Sequence, residues 1–265
     1  MKQYSYIHSL YYSFYSKSFY QYVARNWKGL RLSYLLFILC LFWIPEISRM
    51  HSGVSEFLSA EAPKYVKQVP LITISQGKVS IKEQTPYIIN VPGENTPFAI
   101  IDTSGQTTSL DKSSALVLLT KSQLIIKNSS SESRTFDLAG IDHLIIDQKA
   151  LSEWLETFDT IFPVILFPFV LLYSFLYHVI QVLLIAGIGT FFAKRFQAEL
   201  NFKALMRLAA VSFTPAIILQ TIHAVLDIPF PYRAPISLII ALGYLYYAVG
   251  SNSGHTVSAT NKTLL

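Results

Sequence analysis

The chain has 265 residues, 52% of them hydrophobic and 14% charged, against roughly 25% charged in an ordinary soluble domain. That leaves more apolar surface than so few charges can cover, and it excludes a water-soluble globular class in favour of a membrane one. The formal charge of +5 is not gathered on one basic face, so nucleic acid is not the expected partner, and the single cysteine, Cys40, permits no intramolecular disulfide.

Residues 1–29 are crowded with rings, among them Tyr4, Tyr6, Tyr11, Tyr12, Phe14, Tyr15, Phe19, Tyr20, Tyr22 and Trp27. Ile7, Leu10, Tyr11, Phe14, Tyr22, Val23 and Trp27 recur near helical spacing, with Ser16, Lys17, Gln21 and Arg25 away from them. The pattern predicts an amphipathic helix lying in the membrane surface. Tyr11, Tyr15, Tyr22 and Trp27 would sit at headgroup level, with Lys28 and Arg31 against anionic lipid. A helix buried against other protein is the alternative reading of the same stripe.

The first span is expected over residues 30–45, short for a bilayer about 30 Å thick. Residues 46–160 change character. Val54 to Gln68 reads as a helix bent at Pro63. After Pro70 come seven short β-branched or aliphatic runs: Leu71–Ser75, Lys78–Lys82, Tyr87–Val91, Phe98–Asp102, Ala115–Thr120, Gln123–Lys127 and Arg134–Leu138. Gln76-Gly77, Pro92-Gly93, Ser104-Gly105 and the Asn128–Ser133 tract punctuate them with turn chemistry. A helix from Ala150 to Phe162 then leads back to the membrane.

Residues 161–193 form the second span, and from Phe162 no charge appears until Lys194-Arg195 closes it. Residues 204–226 and 235–250 make a third span and a short fourth, joined through the proline-rich Asp227–Pro235 turn. Residues 251–265 are small and polar and are expected to be disordered. The fold class is therefore an α-helical integral membrane protein with about four transmembrane helices. Between spans one and two it carries an extracytoplasmic, mostly antiparallel β domain.

Charge orients this arrangement. The N-terminal segment, the link between spans two and three and the C-terminal tail hold ten basic residues against one acid, Glu199. Residues 46–160 hold ten bases and fourteen acids. Positive-inside bias puts both termini in the cytoplasm and the β domain outside.

Several stretches are similar to a bacterial membrane family known as domain of unknown function 1189: the Ser9–Tyr15 to Arg25-Asn26-Trp27-Lys28-Gly29 pattern, Gly77–Ile81, Ile100-Ile101-Asp102-Thr103 with Gly105, Leu118–Lys121, and Arg207–Pro215. The resemblance runs from about residue 9 to residue 250. It implies a bacterial inner-membrane protein with an extracytoplasmic insert and carries no activity onto any residue. The C-terminal spans also faintly resemble the Yip1 class of trafficking proteins.

The chemistry-bearing candidates are few. Asp102-Thr103-Ser104-Gly105 approaches the Asp-Thr-Gly loop of aspartic proteases, but Ser104 is inserted and no second copy exists. Asp102 reads better as a strand-ending residue bonded to its own turn. Asp142, His143 and Asp147 are the only carboxylate–imidazole cluster of the outer domain, yet adjacent Asp142 and His143 would face opposite sides of a strand, so no metal is assigned. In the spans, His178 with Gln181, and Gln220 with His223 and Asp227, share helix faces. Polar residues at such depth are functional candidates, with interhelical hydrogen bonding as the plainer role.

No catalytic residue and no cofactor follows from this reading. The expected function is a non-enzymatic inner-membrane scaffold, accessory subunit or sensor. Its outer domain would bind a partner or ligand, with Asp102 and His143 as candidate contacts. The bilayer, other membrane proteins or a second copy are the expected partners. The alternative is a transport or lipid-handling protein working through His178, Gln181, Gln220 and His223. Such a protein is expected to show inverted repeats or broken helices, and the four apolar runs show neither.

Overall fold

The computed structural model describes residues 4–111, 113–129, 132–228 and 231–253. Most of the expected disordered tail, and Ser130 and Ser131 of the polar tract, lie outside them. The chain divides into two compact units, Met1–Met50 with Pro163–Leu265, and His51–Phe162.

The first unit opens with two helices, α1 (Tyr6–Tyr12) and α2 (Lys17–Asn26), where the ring stripe predicted one. The break comes at serines: the Ser16 hydroxyl accepts from the Phe19 amide at 3.2 Å and caps α2, offering the backbone an alternative to continuing the helix. Phe19, Tyr20 and Val23 are fully buried, and Trp27 nearly so, in one core with residues from the apolar helices. The ring face of α2 is thus covered by protein. Tyr11 and Tyr15 remain exposed and Tyr22 is half-buried. Inside the core the Tyr20 hydroxyl donates to the Ser13 carbonyl at 2.5 Å, and burial pushes its pKa up.

The helices also outrun the apolar segments. α3 spans Leu32–Ala60, so neither the end of the apolar run at Ile44 nor Pro45 stops it. The helix continues through Pro45 and also through Ser52-Gly53, whose glycine does not end it. The short α4 (Ala62–Val66) takes Pro63 into its first turn, where a missing N–H is harmless. α5 runs unbroken from Gln148 to Phe196, 49 residues or about 74 Å of helix, absorbing the separately expected Ala150–Phe162 segment.

α6 (Phe202–Ser212) and α7 (Thr214–Val225) divide the expected third span. The interruption is at Phe213, two residues before Pro215, which cannot donate to the preceding turn. α8 covers Arg233–Gly250. α5 approaches its neighbours through small residues: a Cβ on Gly189 would lie 3.2 Å from Leu245 and 3.4 Å from Leu205, and Ala186 and Ala193 are buried on the same face. By length and composition three stretches can cross a membrane, Leu32–Val66, Gln148–Phe196 and Phe202–Val225. Ala234–Gly250 is a shorter apolar helix.

The second unit contains the strands. β1 (Ile72–Ser75), β2 (Lys78–Ser80), β3 (Tyr87–Asn90), β4 (Pro97–Asp102), β5 (Val117–Thr120), β6 (Gln123–Lys127) and β7 (Ser133–Asp137) fall within a residue or two of the seven predicted runs. β8 (His143–Ile146) was not foreseen. A three-stranded sheet has the order β2-β1-β8 and a five-stranded sheet β3-β4-β5-β6-β7. All pairings are antiparallel except β4 with β5, where Asp102 sits beside Thr120.

Two buried clusters support these sheets. Ile72, Ile74, Val79, Ile89, Ala99, Ile101 and Leu138 form one, while Ile100, Leu110, Ala115, Leu118 and Ile125 form the other, so Ile100 and Ile101 of β4 feed opposite faces. The β1–β2 turn needs its glycine. Gly77 sits at φ +73°, and a Cβ there would fall 2.6 Å from the Ala139 Cα.

Candidate functional site

Asp102 ends β4 with no exposed surface. One carboxylate oxygen accepts from the Ser104 amide at 2.8 Å, the Ser104 hydroxyl at 2.6 Å and the Gly105 amide at 3.2 Å, and the other accepts from the Thr107 amide. Burial alone raises the carboxyl pKa, but these donors together outweigh it and hold the group below its ordinary value. The charge is consumed in fastening residues 102–107. A cleft of about 290 Å³ opens beside this loop, with Thr120, Lys121 and Gln123 on its far wall.

The other candidates of the second unit are dispersed. His143 is exposed on β8 opposite Ser75, while the Asp142 carbonyl accepts from the Gln76 amide. The Asp147 carboxylate accepts from the Ala150 amide at 2.7 Å and caps the start of α5. Among the described residues no three His, Cys, Asp or Glu side chains converge on one point.

A cluster that the sequence reading passed over links α3 and α5 within the second unit. The Ser55 hydroxyl donates to Asp159 Oδ1 at 2.5 Å, and His51 Nε2 lies 3.3 Å from the same oxygen and 3.5 Å from the Ser55 Oγ. The residue types are those of a hydrolytic triad, but a triad presents the two ring nitrogens to different partners. Here both groups crowd Nε2, and the hydroxyl proton is directed at the carboxylate, so the cluster acts as a clasp between helices. The signal was available as His51 and Ser55 at i,i+4 on a helix.

Of the span candidates, His178 is half-buried, with Nδ1 2.8 Å from the Ser174 carbonyl of its own helix. Its ring stands edge-on to Phe213 at 5.7 Å, beside the interruption between α6 and α7. Next to Phe213, the hydroxyls of Thr214 and Tyr34 hydrogen-bond, both buried. The Gln181 side chain makes no hydrogen bond among the described residues. Gln220 donates instead to the Ser237 hydroxyl and ties α7 to α8. His223, one turn further along α7, is half-buried, and its carbonyl accepts from Ile228. Asp227 pairs with Arg49 at 3.0 Å, and Arg49 also reaches the buried Glu46 at 3.5 Å.

Another deeply buried charge is Arg207 of α6, counted in the sequence as a positive-inside residue and as the start of the Arg207–Pro215 stretch. It is 7% exposed, and its guanidinium donates to three carbonyls at the end of α2: Ala24 at 2.6 Å, Gly29 at 3.0 Å and Val23 at 3.3 Å. A cation there satisfies carbonyls that a helix end leaves unpaired and complements the helix dipole. Arg31 lies over the Trp27 ring at 5.9 Å and donates to the Tyr6 hydroxyl at 3.2 Å, while Lys28 is exposed. Arg31 and Trp27 therefore belong to an internal aromatic cluster.

The family model described as Protein of unknown function (DUF1189) matches residues 7–249. Neither the curated proteins nor the solved structures contain a match to this chain.

Proposed function

Since the chain belongs to the DUF1189 family, whose description names no reaction, we propose a non-enzymatic role: a scaffold, accessory subunit or sensor of the bacterial inner membrane whose outer β domain binds a partner protein. In this reading four helical passes bring both termini to the same side, and the charge bias makes that side the cytoplasm. The shortest, Ala234–Gly250, has 17 residues and reaches about 26 Å, close to the hydrocarbon thickness. The surplus of ten bases over one acid in the segments assigned to the cytoplasm supports this orientation.

The observation that carries the binding role is strand β7. It ends the five-stranded sheet, all five of its residues are exposed, and Phe136 presents 49% of its surface. An exposed edge with an apolar side chain invites strand addition by a partner. Complementation of a deletion strain tests the reading. Phe136→Glu should lose function, whereas His143→Ala and His178→Ala should retain it. Loss of function in either histidine variant, with the protein still accumulating in the membrane, would overturn it.

A second reading, transport or lipid handling through the spans, draws support from the α6–α7 interruption, with His178 against Phe213. It ranks second because Phe213 keeps right-handed helical backbone angles and the adjoining hydroxyls of Thr214 and Tyr34 satisfy one another. The His178→Ala arm separates the two readings.

A further inference from the structure

The segment between α1 and α2 and the second half of α8 border a shallow, open groove of about 510 Å³, lined by Phe14, Tyr15, Ile240, Gly243, Tyr244 and Tyr247. That volume falls within the range of small-molecule sites. Gly243 creates the hollow, for a Cβ there would meet nothing within 4 Å. The two walls are pinned together. The Tyr247 hydroxyl donates to the Tyr15 carbonyl at 2.6 Å, and the Phe14 and Tyr244 rings meet edge-on at 6.2 Å.

The lining says what fits. It is aliphatic and aromatic, with polar atoms only at the tyrosine hydroxyls and the Tyr15 carbonyl. α8 turns Ile239, 68% exposed, and Tyr246, 49% exposed, outward, so the groove lies on a helix that faces hydrocarbon. The mouth is different. The hydroxyls of Tyr15 and Tyr244 have no hydrogen-bond partner among the described residues. Two positions after Tyr15, Lys17 is exposed at the start of α2, and this end of the chain carries no acidic residue before Glu46. An apolar trough bordered by phenols, with an exposed lysine two residues along the chain and no carboxylate among its lining residues, is complementary to a hydrocarbon chain ending in an anionic headgroup.

We propose that the groove binds one anionic glycerophospholipid, with an acyl chain laid across Gly243 between Ile240 and Tyr244 and the phosphate held by the Tyr15 hydroxyl and Lys17. The site stands independently of the partner-binding reading, since it involves neither β7 nor the outer domain.

Native mass spectrometry of the full-length protein in mild detergent tests this, with phosphatidylglycerol or phosphatidylcholine of identical chains added in turn. One phosphatidylglycerol should be retained at about tenfold lower lipid concentration than phosphatidylcholine, a tenfold preference being about 1.4 kcal/mol. Gly243→Phe, which grows into open space, should abolish retention of the single lipid without lowering the melting temperature. Lys17→Gln, on an exposed residue, should erase most of the preference for phosphatidylglycerol, weakening its retention more than that of phosphatidylcholine, whose phosphate is already offset by its own choline. Equal retention of the two lipids by the unaltered protein would overturn the proposal, as would retention unchanged in both variants.

Discussion

Replacing Arg207 by methionine should undock α2 from the apolar helices. The side chain keeps most of its volume, so the loss falls on the three bonds to Val23, Ala24 and Gly29. A hydrogen bond to a charged group contributes about 1.5–3 kcal/mol, and counting only the two shorter ones gives about 3–6 kcal/mol. Relief from burying a guanidinium without a carboxylate offsets part of this, leaving about 3 kcal/mol. For a unit of this size each kcal/mol moves the melting temperature by about 2–4 °C, so the expected drop is about 6–12 °C. The assay is a thermal melt of the full-length protein in detergent, with hydrogen exchange over residues 17–26 as the local readout. Arg207→Lys should recover part of the loss, because one ammonium cannot serve three diverging carbonyls. Arg25→Gln, an exposed cation in the last turn of the same helix, should shift the melt by less than about 2 °C. A methionine variant that melts and exchanges like the unaltered protein would refute the reasoning.

Other consequences follow from the β unit. Because the Asp102 carboxyl is held below its ordinary pKa, its ionised form stabilises the fold fully above the unfolded value of about 3.9, and that contribution is lost as pH falls through the lower folded value. Urea melts should show this acid loss, and Asp102→Asn should weaken the protein at neutral pH while flattening the dependence. An unchanged acid profile in the asparagine variant would count against the loop's donors as the cause. Gly77→Ala should destabilise more than Gly105→Ala: both impose a positive φ, costing about 1–2 kcal/mol, but only the first adds a backbone clash. Equal urea midpoints would contradict this. Breaking the clasp with Asp159→Asn should raise hydrogen exchange where α3 and α5 meet, around residues 51–55, with little change in β1 to β7. Uniform exchange changes would contradict a local role.

What could be read in the sequence, and what could not, divides along physical lines. Short β-branched or aliphatic runs and turn dipeptides located β1 to β7, because those signals are local. The parallel β4–β5 pairing was not legible, since register between strands separated by a 14-residue connection (103–116) leaves no local trace. β8 was missed because Asp142 and His143 read as a polar cluster and Leu144, Ile145 and Ile146 form a short aliphatic run with no hydropathy alternation, although their exposure alternates in the fold. Hydropathy found the apolar runs but misplaced helix ends at Ile44 and near Phe162. Both places carry a helix breaker, yet α3 continues through Pro45 and α5 through Pro163 and Pro168, so the breaker signal was overridden there. The ring stripe of residues 4–27 was plain, but a one-dimensional pattern cannot say whether rings face lipid or protein. Arg207 looked like one more loop cation because its acceptors are backbone carbonyls, which a sequence does not display. The Asp102 turn was legible in full: Asp before Thr-Ser-Gly supplies acceptor and donors within six residues.

The central claim is topological: a membrane protein with its β unit outside and both ends inside. Single cysteines at Ser16, Gln106, Gln197 and Ser258 in a Cys40→Ala background, treated in intact cells with a membrane-impermeant maleimide, test it most directly. Ser258 lies outside the described residues and serves here only as a reporter of the tail. The account predicts labelling at Gln106 alone, with the other three reacting only after the membrane is opened. Labelling at Ser258 from outside would mean that Ala234–Gly250 does not cross, and protection of Gln106 would place the β unit in the cytoplasm and contradict the account.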